Sequence, residues 1–437
     1  MRKNLFKKVL ALTLASTMAF SMAGCGSKGG SSDAKNDDGT ITLNVWHQWS
    51  NDTNELKGKY EEAVKAYEKE NPGVKIKTET LDTEAYKTKI NAEFAGDAKG
   101  IDVFYWWGAG TAKKLVDAGK VMALDDYVTD DVKSKILEGS TSAFEFDGKL
   151  YSVPMFSWYM TLFCNKTMFD KAGATLPTTY DELVDAVKKL KKLDGVIPMA
   201  AGAKDGWNAA FVYQALALRE VGATGVNEML SGKKEFGDEG FKKAAQKVSD
   251  LYEMGAFGDN PLEQGNDDAN AAFENGKAAM RLMGSWFANN VYTDDAATIK
   301  PEEVVALKIP TIADGKGEAT DYCGGFVESF WVNNNTKYKE EAAKFCIYIN
   351  EKMGVASYET GSGFSGWTTP ADESNLNPLF IQIKDLLAEG KQGVLAWDTS
   401  LESEPAAVHN EQVQTLFADG ADIDAFIDEH KAAINGK

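Results

Sequence analysis

Histidine is scarce in this chain of 437 residues, which contains only three. His47, His409 and His430 form neither an HExxH motif nor another closely spaced pair of metal ligands. A zinc site normally needs such a cluster. We therefore expect the protein to hold neither a metal ion nor a cofactor.

Cysteine is almost as scarce. Besides Cys25, the chain has Cys164, Cys323 and Cys346, an odd number in apolar surroundings and without CxxC spacing. Small disulfide-stapled domains show the opposite pattern, with an even number of closely spaced cysteines. We expect no disulfide framework.

Long apolar runs are absent after residue 25. In that part of the sequence no stretch approaches the ~20 apolar residues that a membrane-spanning helix needs. Positive charge is not in excess either, because 66 acidic residues outweigh 47 basic ones and give a formal net charge of -19. A chain this acidic is poorly suited to nucleic-acid phosphates. We expect a soluble protein after its first 25 residues, with no nucleic-acid partner.

The first 24 residues have the composition of an export signal, with positive charges first and a mostly apolar run from Val9 to Phe20. The string Met22-Ala23-Gly24-Cys25 resembles the bacterial lipoprotein signal, in which a diacylglycerol is attached to the cysteine. Residues 25–40, rich in Gly, Ser and Asp, are typical of a flexible tether. We expect an extracytoplasmic protein held at the outer face of the cell membrane through this lipid only; the alternative is a secreted protein with a stray cysteine.

The chain is longer than one hydrophobic core usually organises, so two domains are the default expectation. Strand-like runs at Ile41 to Val45, Val74 to Thr80 and Ile101 to Tyr105 alternate with helical patterns. Thr179 and Glu182 form a capping box at the start of a later helix. This order predicts an α/β fold with mostly parallel sheets flanked by helices.

Ten tryptophans are roughly twice the average usage for this length, and most sit at the ends of predicted elements. Trp46 follows the first strand, Trp106 and Trp107 end the third, and Trp286 follows a later one. Ligands of parallel α/β sheets bind beyond the carboxyl ends of the strands. Indole rings placed there can stack on the flat C–H faces of sugars. Trp331 lies inside an alternating apolar run and is predicted to belong to the core.

Several segments resemble the extracellular solute-binding proteins of ABC sugar importers, the branch that includes maltose-binding protein. The most specific is Ala272 to Trp286 (AFENGKAAMRLMGSW), which is similar to a helix-turn-strand segment of that family. Further matches are Gly100 to Phe104, Asp147 to Pro154 and Pro177 to Leu183. These segments occur in family order and span nearly the whole chain after the signal.

This resemblance implies a two-lobe clamp of the periplasmic-binding-protein type, with three hinge crossovers and a mostly parallel sheet in each lobe. The expected lobes are residues 41–153 plus 309–361 and residues 157–305 plus 366–437, with crossovers near 153–158, 304–309 and 361–367. A ligand touching both lobes would shift an open-to-closed equilibrium towards closure. The resemblance implies that a monomer captures an oligosaccharide and delivers it to ABC transporter permease subunits, without catalysing a reaction.

The resemblance also implies binding residues that stack on sugar rings, hydrogen-bond their hydroxyls or line the pocket. They are Trp46, Gln48, Trp106, Trp107, Trp158, Trp207, Trp286, Asp321, Gly325, Phe364, Trp367 and Asp398. Trp158 and Tyr159 stand where the maltose-binding pattern has an acidic residue. This difference leaves open an oligosaccharide whose glycosidic linkage differs from that of maltose. The number of rings predicts a ligand of two or more sugar units.

Two other functions stay open at this point. A lipid-anchored glycoside hydrolase would also need an aromatic cleft, but no pair of carboxylates stands out for catalysis. A clamp for a charged cargo, such as a peptide, a polyamine or a sugar phosphate, would need a buried counter-charge. Arg219 and Arg281 are the only arginines after Arg2, and neither lies in a phosphate-loop pattern. A neutral polyol therefore fits best.

Overall fold

The computed structural model describes residues 39–51, 55–293 and 297–436. The predicted signal (1–24), Cys25 and most of the predicted tether lie outside these ranges. The described strands are β1 (Ile41–His47), β2 (Val74–Thr80), β3 (Val103–Trp107), β4 (Glu145–Phe146), β5 (Lys149–Leu150), β6 (Phe156–Asn165), β7 (Ile197–Ala200), β8 (Ala278–Gly284), β9 (Val304–Leu307), β10 (Asp321–Val332), β11 (Phe364–Ser365) and β12 (Gln392–Val394).

The described helices alternate with these strands, and none of them is long and apolar enough to cross a membrane. They are α1 (Glu55–Glu70), α2 (Thr83–Ala95), α3 (Ala109–Asp117), α4 (Asp130–Lys135), α5 (Lys166–Ala172), α6 (Tyr180–Leu190), α7 (Gly206–Leu230), α8 (Glu239–Glu253), α9 (Asn266–Glu274), α10 (Phe287–Thr293), α11 (Lys339–Glu359), α12 (Pro378–Ala388), α13 (Trp397–Ser400), α14 (Ser403–Thr415) and α15 (Ile423–Asn435). The predicted capping box starts α6, where Thr179 Oγ1 accepts a hydrogen bond from the Glu182 amide at 3.2 Å.

The first part of the chain builds a parallel sheet that one antiparallel strand completes. Ile41 pairs with Val74 and Val45 pairs with Val103, so β1 lies between β2 and β3 in parallel register. Alternate residues of β1 point to opposite faces. β10 closes the group from the other side of β3 and runs antiparallel to it. The alternation of strands and helices in the sequence predicts the parallel part, because a parallel connection needs a crossover helix.

The second part of the sheet is mixed. β6 runs antiparallel to β8, β9 and β10, whereas β7 and β8 are parallel. The two-lobe α/β prediction is confirmed, but the sheets are less parallel than expected. The difference comes from two long strands that pass between the lobes: β6 runs antiparallel to β8, β9 and β10, and β10 runs antiparallel to β3 and β6 but parallel to β12.

Two hydrophobic cores divide the described chain. The first core draws on residues from 41 to 156, on 327–353 and on Trp367, and it contains Trp331, as predicted. The second core draws on residues from 158 to 309, on Cys323 and on 379–427. Trp331 is fully buried, and so are the free thiols of Cys164 and Cys346.

The chain passes between the cores three times. It leaves the first core in β6, between Phe156 and Trp158. It returns inside β10, between Cys323 and Val327. Residues 308–321 still pack on the second lobe, where the Ile309 and Asp321 carbonyls accept from Arg219. The last passage follows Trp367. The exact lobe boundaries given above stay predictions.

Candidate functional site

The interlobe cleft is the space where side chains of the two cores face one another. Lys87 of α2 marks it, because its ammonium nitrogen lies 5.1 Å from the ring centroid of Trp107 in the first lobe and 5.7 Å from that of Trp207 in the second. A cation within about 6 Å of an aromatic centroid is attracted to the ring. The structure therefore brings these two predicted binding residues to opposite sides of one slot.

Seven buried side-chain polar atoms have no hydrogen-bond partner among the described residues, and five of them belong to four predicted binding residues and to Asn410. The five are Gln48 Oε1 and Trp106 Nε1 of the first lobe, and Trp207 Nε1, Asp398 Oδ1 and Asn410 Oδ1 of the second. Buried polar atoms are almost always paired, since leaving one unpaired costs free energy. The set contains both donors and acceptors. Hydroxyl groups, which donate and accept at once, would satisfy all of them.

Four aromatic side chains form one wall of the cleft in the second lobe. Trp158 of β6 stacks on Phe211 of α7, with ring centroids 5.4 Å apart. Trp286 meets Trp158 edge to face at 5.1 Å, and Trp207 meets Phe211 at 5.3 Å. Trp207 and Phe211 are one helical turn apart on α7, so they share a face of that helix. Trp207 and Trp286 are only partly buried, which leaves ring surface for a ligand.

The opposite wall comes from the ends of β1 and β3. The Tyr86 hydroxyl donates to the carbonyl of Tyr105 at 2.6 Å and lies 3.2 Å from the carbonyl of Trp46, so one side chain of α2 ties the two strand ends together. Trp106 and Trp107 follow at the end of β3, with their rings 5.5 Å apart. Lys89 lies 4.8 Å from the Trp46 ring. Trp106 and Trp107 end β3 as the sequence predicts, whereas Trp46 lies inside β1 and not after it.

Two buried carboxyl groups border the cleft. Burial raises the pKa of Asp398, and the nearby ammonium of Lys87 opposes that rise. Burial also raises the pKa of Glu328 to about 7, with Tyr105 and Trp107 beside its carboxyl group. Loss of solvation disfavours the charged form of an acid. Near neutral pH the cleft therefore contains carboxyl groups that hold a proton more readily than usual.

Glu328 gives a pH-dependent stability that can be measured. Its pKa in the folded protein is about 7, above the ordinary 4.5, so folding favours the protonated acid. The penalty for holding the charged form is absent below 4.5, grows as the pH rises to about 7 and stays constant above it. Glu328→Gln removes the charge and should be more stable than the wild type at pH 8, by about 3 kcal/mol. Denaturant unfolding between pH 5 and pH 8 checks this.

The control for this prediction is Glu62→Gln, whose side chain is 74% exposed. It should leave the pH profile unchanged. A Glu328→Gln protein that is less stable than the wild type at pH 8, or a stability gap that does not shrink towards pH 5, would contradict the assignment.

Four of the predicted binding residues have partners inside the protein. The Asp321 carboxylate accepts from the Glu318 amide at 3.0 Å, and Phe364 stacks on Phe380 at 4.6 Å. The Trp367 indole donates to the Pro154 carbonyl at 2.7 Å. Gly325 has φ +151°, and a Cβ there would lie 2.6 Å from the Leu395 side chain. Their binding roles stay predictions, and these contacts favour structural ones.

Several cleft residues escaped the sequence analysis. Lys87 looks like any surface lysine of an amphipathic helix, and Asn410 like any polar position of α14. Phe211 was hidden in a largely apolar helix. Glu328 carried a usable signal, because an acid between apolar residues in the run Phe326 to Val332 must be buried or paired.

The two lobes also touch directly beside the cleft. Thr111 Oγ1 at the start of α3 lies 3.3 Å from the carbonyl oxygen of Asp398, in α13 of the second lobe. Gly110 packs against the same segment so closely that a Cβ would lie 2.3 Å from the carbonyl oxygens of Ser400 and Leu401. Elsewhere along the lobe interface, the side-chain nitrogen Nδ2 of Asn289 lies 3.3 Å from a carboxylate oxygen of Glu55. Described residues of the two lobes are therefore in direct contact at both places.

No group of three or more His, Cys, Asp or Glu side chains in the described ranges is arranged to hold a metal ion. The cleft side chains offer hydrogen-bonding atoms, aromatic rings and the ionisable groups of Lys87, Asp398 and Glu328. Such a set can bind a polar organic solute between the lobes.

Comparison with known proteins agrees with this arrangement. The multiple sugar-binding protein of Streptococcus mutans is 24% identical over 368 residues, which cover 81% of this chain and 80% of that protein. An uncharacterised ABC transporter extracellular-binding protein of Pyrococcus horikoshii is 26% identical over 280 residues. This match covers 62% of the present chain and 61% of the Pyrococcus protein. Both similarities extend across most of the chain.

A solved structure from work on xylan utilisation by the thermophilic bacterium Caldanaerobius polysaccharolyticus superposes with a TM-score of 0.85. It is 36% identical and covers 90% of this chain and 99% of that one. The family model of the bacterial extracellular solute-binding proteins matches residues 50–355, well over half of the chain. The protein is a member of the bacterial extracellular solute-binding protein family.

Proposed function

We propose that this protein captures a neutral oligosaccharide between its two lobes and delivers it to the permease subunits of an ABC transporter. The observation that carries the proposal is the convergence of indole rings and unpartnered buried polar atoms from both lobes on one slot. Rings offer stacking surface to C–H faces, and the polar atoms offer partners to hydroxyls. A ligand that bridges the lobes would favour the closed state.

The charges of the protein support a neutral cargo. Arg219 donates to the carbonyls of Ile309 and Glu318, and Arg281 donates to buried asparagine oxygens, so both guanidinium groups are occupied. Lys87 forms an ion pair with Glu84 at 3.1 Å. None of these cations is set apart for a phosphate or carboxylate. The carboxyls near Lys87 favour a cationic cargo as the second candidate, so an amine belongs in the binding test.

The relatives suggest which sugars to try. The multiple sugar-binding protein is a relative over most of the chain, and the 36% identical structure comes from work on xylan utilisation. Xylan-derived oligosaccharides are therefore the first candidates. Isothermal titration calorimetry should compare xylose, xylobiose, xylotriose and xylotetraose with maltotriose and spermidine. Equal or tighter binding of the monosaccharide would reject an oligosaccharide ligand, and tight binding of spermidine alone would favour the amine.

The same samples decide between receptor and hydrolase. We expect saturable binding of one oligosaccharide per protein and no shorter products after prolonged incubation. The relatives named above are binding proteins, and neither Asp398 nor Glu328 stands in a demonstrated acid and base pair. If shorter sugars accumulate with the wild type but not with Glu328→Gln, the protein is a hydrolase and the receptor proposal fails.

We also propose that the receptor is a monomer anchored to the cell membrane by a lipid on Cys25. The motif around this residue supports the anchor, because two acyl chains hold a protein at a membrane stably. In the native host, Cys25→Ser should move the protein from the membrane fraction to the soluble fraction. An unchanged distribution would contradict the anchor.

Trp207 should be a major contributor to affinity. Its ring is partly exposed in the cleft, and its indole nitrogen is buried without a partner. Trp207→Ala should weaken binding of the best oligosaccharide by roughly 2 kcal/mol, about 30-fold, with little loss of thermal stability. Trp367→Phe is the matched control, because that indole already donates to Pro154. Trp367→Phe should lower the stability of the protein and leave its affinity within about threefold of the wild type. If instead Trp367→Phe lost affinity and Trp207→Ala lost only stability, Trp367 and not Trp207 would be the binding residue.

A further inference from the structure

A chain of buried hydrogen bonds crosses the second lobe behind the cleft. Its first bond runs from the Trp397 amide to Gln214 Oε1 at 3.3 Å. Gln214 Nε2 then lies 3.0 Å from His409 Nε2, His409 Nδ1 lies 2.9 Å from His430 Nε2, and His430 Nδ1 lies 2.8 Å from the Phe426 carbonyl oxygen. The chain joins α7, α13, α14 and α15, and each of the four side chains is at most 2% exposed.

The direction of every bond in the chain follows from its last acceptor. The Phe426 carbonyl can only accept, so His430 carries its hydrogen on Nδ1 and, when neutral, accepts at Nε2. His409 must then donate from Nδ1 and accept at Nε2, where only the amide nitrogen of Gln214 can donate. This orientation leaves Gln214 Oε1 to accept from Trp397. All five groups are satisfied only if both imidazoles are neutral.

The surroundings of the two rings agree with neutral imidazoles. Burial lowers the pKa of His430 to about 4 and that of His409 well below its usual range. Trp397 stacks on His409 with centroids 4.9 Å apart, and Phe236 stacks on His430 at 4.8 Å. A second proton on either ring would place two donors face to face. The chain is therefore a rigid structural unit and not an exposed titrating pair.

Two members of this unit precede cleft residues in the sequence. Trp397 precedes Asp398, and His409 precedes Asn410. Asp398 Oδ1 and Asn410 Oδ1 are two of the unpartnered atoms of the cleft. Asn410 also packs against Gly206, the residue before Trp207, where a Cβ would lie 2.8 Å from the Asn410 Cβ. The same helix, α7, carries Gln214 two turns further on.

We propose that Gln214, His409 and His430 are positioning residues of the ligand site, which hold α13 and α14 so that Asp398 and Asn410 present their free oxygens to the bound ligand. This inference rests on the proposed function, because it assigns a role in binding that oligosaccharide. The residues act through Trp397, Asp398 and Asn410 and do not touch the ligand themselves. A hydrogen-bond network of this kind fixes groups within the tolerance that recognition needs.

The test compares affinity with stability in three variants. Gln214→Leu removes both the donor to His409 and the acceptor for Trp397, and it should raise the Kd for the best oligosaccharide roughly tenfold. His409→Gln keeps one donor and one acceptor and should stay within about threefold of the wild type. Asn165→Ala, which removes the buried cap of α5 in the same lobe, is the control for general destabilisation. It should lower Tm without changing the Kd.

A spectroscopic signature separates positioning from packing. The chain has only three histidines, so ¹⁵N spectra of histidine-labelled protein resolve them. His409 and His430 should carry their hydrogen on Nδ1 at pH 7, whereas His47, whose Nδ1 accepts from the Trp49 amide at 3.2 Å, should carry it on Nε2. In Gln214→Leu the His409 signal should change and that of His47 should not.

Three results overturn the inference. One is a folded Gln214→Leu protein that binds like the wild type, and another is an equal loss of affinity in Asn165→Ala. A charged His409 or His430 at pH 7 is the third. If the wild type itself binds no oligosaccharide, the proposed function fails and the positioning role fails with it; wild-type binding with unaffected variants overturns the positioning role alone.

Discussion

Gly110→Ala should remove most of the affinity for the ligand while leaving both lobes folded. Gly110 belongs to α3 of the first lobe, and a Cβ at this position would lie 2.3 Å from backbone oxygens of Ser400 and Leu401. Real Cβ atoms do not approach oxygens so closely, and backbone cannot yield as a flexible side chain can. The clash exists only where the lobes meet. The substitution therefore penalises the closed state and spares the open one.

The size of this effect follows from the cost of overpacking. Forcing a methyl group into such a contact costs roughly 2–3 kcal/mol, which corresponds to a fall in affinity of about 30- to 150-fold if the closed state is the one that binds. Calorimetry on the variant measures it. Alanine is a better helix former than glycine, so Tm of the ligand-free protein should not fall.

Gly58→Ala is the matched control for Gly110→Ala. Gly58 lies on an exposed face of α1, and nothing is within 4 Å of the position of its Cβ. This variant should gain up to about 1 kcal/mol of stability and keep the wild-type affinity. A Gly110→Ala protein with a Kd within threefold of the wild type would show that the contact between α3 and α13 is not needed for capture.

Arg281→Met should cause the largest loss of stability. The Arg281 guanidinium is 1% exposed and donates to Asn208 Oδ1 at 2.9 Å, Asn266 Oδ1 at 3.0 Å and Asn270 Oδ1 at 3.1 Å. Burial lowers its pKa to about 9, and the carboxylate of Glu274 opposes that shift. Methionine fills similar space but removes the Arg281 donor from the Asn208 and Asn270 oxygens, while Asn266 Oδ1 still accepts from Asn208 Nδ2 at 3.0 Å. Breaking a buried charged network in this way costs about 3–5 kcal/mol.

Chemical denaturation of the second lobe measures this loss. Lys277→Met is the control, since Lys277 is exposed just before the same strand and should change stability by no more than about 0.5 kcal/mol. A loss below about 1 kcal/mol for Arg281→Met would contradict the account of the network. Because Asn208 follows Trp207, we also expect weaker ligand binding in any Arg281→Met protein that folds.

The sequence could predict elements whose signals are local. The strand from Ile41, the helix from Tyr180 with its capping box and the buried position of Trp331 all follow from periodicity and neighbouring residues. The placement of Trp106 and Trp107 in the cleft follows from a rule of parallel sheets, that ligands lie beyond the carboxyl ends of strands.

What could not be predicted depends on contacts between distant parts of the chain. In the sequence Trp207 opens a predicted helix and Trp367 lies in a loop-like segment, yet only the fold decides that one indole nitrogen lacks a partner and the other donates to Pro154. Lys87 enters the cleft because the lobes approach each other. The passage of β10 between the cores depends on strand pairing, which the pattern of apolar residues does not specify.

The most direct test of capture between the lobes is a distance across the cleft. Lys114 of α3 and Glu404 of α14 are exposed on the two sides of the lobe contact. Spin labels on Lys114→Cys and Glu404→Cys in a Cys25→Ser background would be selective, because the other three cysteines are buried. We predict that saturating xylotetraose, or whichever oligosaccharide binds best, shortens and narrows the distance distribution measured by electron paramagnetic resonance. A distribution that no saturating oligosaccharide changes would contradict capture by closure.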